Sequence, residues 1–109
     1  MAQTSAHIVT IFRNRLRDGA QDEYSALSPH ISDLASQMSG FIDAKTFVAA
    51  DGERVTVVTF ADQVSHDAWR DHPEHRTAQQ RGIAEFYSEY SIQVGTVTYS
   101  NHFVKSEQL

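Results

Sequence analysis

Hydrophobic and polar positions change period several times along the chain, and each change marks an element. "HIVTIFRNRL", His7 to Leu16, is β-branched and apolar and stops at Asp18-Gly19, which reads as a strand ending in a turn. From Ala20 the period becomes helical. Tyr24, Leu27, Ile31, Ala35 and Met38 share one stripe, and Asp22 and Glu23 suit the positive N-terminal end. Pro29 falls outside that stripe, which keeps its phase across the proline, so one kinked helix is expected. Ser39-Gly40 ends it, with glycine suited to a left-handed cap.

"FIDAKTFVAA" and "ERVTVVTFA", joined by Asp51-Gly52, read as a hairpin with a two-residue turn. That turn predicts Val48 opposite Val55, Thr46 opposite Val57 and Ala44 opposite Thr59. One face then carries Ile42, Ala44, Val48, Val55, Val57 and Ala61. The other carries Phe41, Phe47, Val58 and Phe60, interspersed with Asp43, Lys45 and Arg54. A short helix is expected from Ser65 as N-cap through Trp69, and a second from Pro73 to about Ser88. "YSIQVGTVTYSNHF" closes the chain as a long strand. The order βαββαβ predicts an α+β, ferredoxin-like domain: a four-stranded antiparallel sheet with helices on one face. The other face is also apolar, which leaves it for a partner.

Composition narrows the function. At 109 residues the chain makes one domain over 1–109, with a core over about 7–103 and short loose tails, "MAQTS" and "KSEQL". A net charge of -5 and no run of Lys and Arg argue against a nucleic-acid partner. The absence of cysteine removes thiolate ligands, disulfides and a Cys nucleophile. The start has no basic region before an apolar run, and no apolar run approaches the roughly 20 residues that span a bilayer. A soluble, cytoplasmic protein without a membrane partner is expected.

"WRDHPEHRTAQQRG", Trp69 to Gly82, is the stretch with most chemistry. His72 and His75 are two imidazoles where a zinc site needs three or four ligands, and the zinc-protease helix pattern is absent. No metal is expected, and His72 reads as a helix-start residue. His75 shares a helix stripe with Ala78, Gln79, Gly82, Ile83 and Phe86. It is either a hydrogen-bonded histidine at a ragged helix end or part of a pocket wall, small at Gly82 and polar at His75 and Gln79. Trp69 is core, or a lid whose indole N–H seeks a partner. Asn14 shares parity with Ile8, Thr10 and Phe12, so its amide lies on an apolar face as a structural group or a ligand donor. Neither a phosphate-binding glycine loop nor a serine-elbow motif occurs.

"FRNRLRDGAQDEY", "GFIDAKTFVAADGERVTVVTF" and "AWRDHPEHRTAQQRGIAEFYSEYSIQV" together resemble the antibiotic biosynthesis monooxygenase domain of the dimeric α+β barrel superfamily. The resemblance runs from about His7 to Phe103. It implies a homodimer paired through the sheet face and, in some members, oxidation of anthrone- or quinol-type substrates by O₂ without a cofactor. On that likeness Asn14, Trp69 and His75 are the candidate catalytic residues, and Phe47, Gln79 and Phe86 the candidate substrate-binding ones. Any base is His75, since glutamine cannot serve. Haem-degrading relatives pair a strand asparagine with a helix tryptophan, which Asn14 and Trp69 resemble. Their axial histidine falls where this chain has Gln79, so haem is the alternative cofactor and none the leading expectation. A non-enzymatic small-molecule-binding module is the other alternative.

Overall fold

The computed structural model describes residues 6–106, so the outermost residues of both expected tails lie outside the described span. The elements are β1 (Ile8–Leu16), α1 (Gln21–Ser36), β2 (Phe41–Val48), β3 (Arg54–Phe60), α2 (Gln63–Arg70), α3 (Pro73–Arg81), a single π-helical turn (Gly82–Phe86) and β4 (Tyr87–Thr96). The sheet order is β2-β3-β1-β4, with every neighbouring pair antiparallel. This is the α+β, ferredoxin-like arrangement expected from the sequence. No helix among the described residues is long and apolar enough to cross a membrane.

The β1–β3 register sorts the residues by face. Ile8, Thr10, Phe12 and Asn14 lie opposite Phe60, Val58, Thr56 and Arg54. The helices cover this face. Ala35 of α1, Phe60 of β3 and Trp69 of α2 form a buried cluster, packed by Ile31, Leu34, Met38, Phe41 and Val58. Burying Phe60 alone contributes about 3 kcal/mol. The opposite face carries Val9, Ile11, Val55 and Val57 among Arg13, Arg15 and Glu53. Helix α1 runs unbroken through Pro29, its ring on the exposed side, as the phase of the stripe requires.

The hairpin corrects the expected register. The Ala49 N–H donates to the Glu53 carbonyl at 2.8 Å and the Gly52 N–H to the Ala49 carbonyl at 2.9 Å. The loop therefore has three residues, Ala50, Asp51 and Gly52. A two-residue Asp-Gly turn needs positive φ at both positions. Here only Gly52 has it, at +92°, and the Asp51 carboxylate instead accepts the Glu53 N–H at 3.1 Å. The pairing moves by one residue: Ala44 faces Val58, Thr46 faces Thr56 and Val48 faces Arg54. Because side chains alternate, that slip turns β2 over. Phe47 joins Val55 on the face away from the helices, while Ala44 and Val48 move to the helix side. A register shift between Phe41 and Asp43 returns Phe41 to the helix face, opposite Phe60.

Two further boundaries differ. The cap of α2 lies three residues before Ser65, at Asp62, whose carboxylate accepts the Ser65 N–H at 2.8 Å. The last strand begins at Tyr87 and ends at Thr96 rather than running to Phe103. The bond from the Val97 N–H to the His7 carbonyl is the last between these two segments among the described residues. Residues 97–106 continue without regular structure, leaving Tyr99 and Phe103 exposed.

Candidate functional site

The helix-covered face has two chemically distinct ends. At the Phe60 end, the Asp62 cap sets the phase of α2 so that His66 and Trp69, one turn apart, both point inward and are buried. The chain then turns sharply. His72 is extended, as a residue before proline prefers, and its Nδ1 accepts the Glu74 N–H at 3.2 Å to cap α3. The Trp69 carbonyl accepts two bonds across this junction, from the His72 N–H at 3.1 Å and from His75 Nδ1 at 3.0 Å.

His75 is thereby laid on the tryptophan. The two rings are stacked, with centroids 4.1 Å apart and planes 11° from parallel, and His72 tilts against the same indole at 5.7 Å. A carbonyl can only accept, so Nδ1 carries the proton and Nε2 of the neutral ring keeps its lone pair. Burial depresses the His75 pKa below its ordinary 6.5; the Trp69 carbonyl opposes this and neighbouring His72 reinforces it. The imidazole is therefore neutral at pH 7, with one basic nitrogen available. His66 donates from Nδ1 to the Asp67 carboxylate at 2.9 Å and meets Phe60 edge-on. That hydrogen bond, with one from Gln63, holds Asp67 below the usual carboxylate range.

At the other end lies Asn14, 1% exposed, between Arg54 of β3 and Tyr90 of β4. Among the described residues, neither amide atom of Asn14 has a hydrogen-bond partner, and neither has Nε of Arg54. Aromatic rings enclose the region. Phe12 meets Tyr87 at 5.4 Å, Tyr24 meets Tyr87 at 6.2 Å, and the Arg54 guanidinium lies 4.9 Å above the Tyr24 ring. Burial raises the Tyr87 pKa, with hydroxyl contact to Tyr24 in the same direction. Gly82 makes this packing possible, because a Cβ there would run into the Tyr87 ring.

The structure thus stacks His75 on Trp69 and seats Asn14 on the same helix-covered face, between Arg54 and Tyr90. The Ile8–Phe60 and Asn14–Arg54 pairs are six residues apart in the register, about 20 Å along the strands. Phe86 is buried at the Asn14 end against Tyr24. Gln79 is exposed and Phe47 is half-exposed on the opposite face of the sheet, so neither lines the helix-covered interior. At the position where the haem-degrading relatives are expected to carry the axial imidazole, this chain has the exposed amide of Gln79. Sequence reasoning missed His66, whose signal was its spacing of three from Trp69, and the grouping of Arg54 with Tyr24 and Tyr87. Even spacing from Phe60 placed Arg54 on this face, but its aromatic neighbours come from distant elements.

Comparison with known proteins agrees with this fold. The family model described as antibiotic biosynthesis monooxygenase matches residues 7–81. The Bacillus subtilis protein YqjZ is 28% identical over 74 residues, which are 68% of this chain and 65% of that protein. The chain thus spans just under two thirds of the length of that relative. Rv0793 from Mycobacterium tuberculosis superposes with a TM-score of 0.79 at 16% identity, covering 89% of this chain and all of the other. SnoaB, a cofactor-independent oxygenase from Streptomyces nogalater solved as a point mutant, superposes at 0.75 with 12% identity, covering 88% of this chain and 97% of the other.

Proposed function

Starting from the premise that the chain belongs to the antibiotic biosynthesis monooxygenase family, we propose that it is a cofactor-independent monooxygenase acting with O₂ on a small hydroxylated aromatic of the anthrone or quinol type. The observation that carries this reading is the Trp69–His75 stack. It combines a flat apolar surface with a neutral imidazole of fixed tautomer in a half-buried setting.

In this reading His75 Nε2 takes the acidic proton of the substrate, leaving an electron-rich enolate or phenolate. The anion passes one electron to O₂, and the two radicals join through a new carbon–oxygen bond. His75 returns its proton to the resulting peroxide. Loss of the remaining C–H proton then breaks the O–O bond, giving a ring carbonyl and water. All the electrons come from the substrate, so a CH₂ carbon and O₂ become C=O and H₂O. Trp69 holds the base in place and shields the anion from water. No step in this reading uses Asn14 or Phe86.

We also propose that the face carrying Val9, Ile11, Phe47, Val55 and Val57 pairs with a second copy of the chain. The deciding test of the reaction is oxygen uptake by metal-stripped protein given anthrone and then a simple quinol, beside a heat-denatured control. Uptake above the control with a quinone product is the expected result. Uptake equal to the control with both substrates overturns the reading for this substrate class.

A further inference from the structure

We propose that residues 97–103 become a β-strand only on a second copy of the chain, where Tyr99 and Phe103 fill a groove beside Gly95 and each copy receives the other's segment. The inference rests on the second-copy pairing proposed above and adds to it the segment that fastens the pair.

The sequence pattern of this segment and its surroundings in one chain disagree. In "GTVTYSNHF", Val97, Tyr99 and Phe103 share one parity among Thr96, Thr98, Ser100 and His102, the pattern of a strand with one buried side. Yet β4 stops at Thr96, and Tyr99 and Phe103 are 81% and 80% exposed. Two aromatic rings stand in water on a segment patterned for burial, which marks an interaction surface. The dimensions agree. The radius of gyration is 16.0 Å, against about 13 Å for a compact domain of this length.

A matching surface adjoins the segment. On the face away from the helices, an open groove of about 280 Å³ is lined by Val9, Ile11, Gln93, Gly95 and Val97. Gly95 is the telling member. Positive φ occurs at Gly19, Gly40 and Gly52 but not at Gly95, and the β1–β4 register does not shift there. Neither a turn nor a bulge therefore accounts for a glycine inside a strand, where it costs stability. A Cβ at Gly95 would meet nothing within 4 Å, so no neighbour among the described residues requires the gap. The remaining reason for such a glycine is close approach from outside the chain.

Charge selects the occupant. With a net charge of -5 on each copy, two chains repel unless they meet where carboxylates are absent. No charged residue lines the groove, and from Tyr90 to Val104 the sequence contains no Asp, Glu, Lys or Arg. An acidic or basic partner finds nothing to pair with here. Groove and segment are neutral, apolar counterparts on one chain, which is what a two-fold contact needs when each copy gives and receives the same parts.

Because the chain has no cysteine, cross-linking can read the exchange. Protein carrying Gln93→Cys is mixed with isotopically heavy protein carrying Val104→Cys, and a short bis-maleimide is added. Both changes leave Gly95 and the two rings in place. A light–heavy product is expected. Its absence, with a link inside the chain when both cysteines are on one copy, shows the segment folding back on its own groove and overturns the proposal. Sedimentation then weighs the contact. Tyr99→Ser with Phe103→Ser should weaken self-association by at least about tenfold. Gly95→Val should do the same although valine suits a strand, because it fills the notch. Should Gly95→Val fail to fold, Gly95→Ala carries the test with a smaller loss. Combining the ring and notch changes should weaken association no further than either alone. Unchanged association in both, with the wild-type pair intact, overturns this proposal and leaves the pairing of the sheet faces standing. A single-chain mass for the wild type removes that pairing, and this proposal with it.

Discussion

His75 is held twice by one residue: its ring lies on the Trp69 indole at 4.1 Å, and its Nδ1 donates to the Trp69 carbonyl at 3.0 Å. The two contacts separate under mutation, because the carbonyl belongs to the backbone and survives any change of side chain. His75→Ala should lower kcat for an oxidisable quinol by about 10²–10⁴-fold, the range for loss of a positioned base. Trp69→Phe retains the hydrogen bond and part of the stack, and should cost roughly tenfold. Steady-state oxygen uptake measures both, and turnover unchanged in both would move the reaction elsewhere in the molecule.

The pH dependence follows from the direction of the His75 shift. Its folded pKa lies below the ordinary 6.5 because burial disfavours the imidazolium. The unfolded chain therefore binds the proton more readily. The stability contribution is fully present above about pH 6.5 and is lost as pH falls through the folded value. Activity should follow the same sign, level from neutral pH upward and falling on the acid side with a midpoint under about 6.5. A kcat profile gives that midpoint, and urea melts at several pH values give the stability limb. In His75→Ala the stability limb due to this group should vanish.

Gly82→Ala should be costly for a residue in a helical turn. The added methyl meets the Tyr87 ring, which is itself packed against Phe12 and Tyr24. Overpacking of this kind costs about 1–3 kcal/mol, to be read from denaturant melts. In a Tyr87→Leu background the same change should cost measurably less, since the colliding ring is gone.

The second-copy proposal has its own measurement. Sedimentation at micromolar concentration should give twice the mass of the 109-residue chain. Phe47→Glu together with Val57→Glu should give a single-chain mass with unchanged far-ultraviolet circular dichroism. Both side chains sit on the face away from the helices, so the monomer core does not need them.

The element order and the helix stripes were legible because their periods are long and strongly amphipathic. Tyr24, Leu27, Ile31 and Ala35 had only one way to face the sheet. The hairpin was legible as a hairpin and misread in register. Asp51-Gly52 suits a two-residue turn, and the choice against it rests on Asp51 keeping negative φ while its carboxylate caps Glu53, a contact that spacing does not announce. The single slipped residue moved Phe47 out of the expected lining. The pairing of His75 with Trp69 was partly visible as proximity along the chain, but the stack depends on the bend at His72-Pro73. Arg54, Tyr24 and Tyr87 come from β3, α1 and β4, so only the folded sheet could group them around Asn14.

The π turn has a consequence for how this domain can change. Helix α3 passes through Gly82–Phe86 into β4 without a single loop residue, and the Arg17 N–H donates to the Phe86 carbonyl at 2.7 Å at that point. The other junctions contain residues outside any helix or strand. This one has no slack. Lengthening it would rotate the strand relative to the helix and turn Tyr87 away from Phe12. The rigid span also means that the His75 end and the Asn14 end are fixed relative to each other by one continuous stretch of backbone, and a displacement of the helix start is passed to β4 undiminished by any flexible joint.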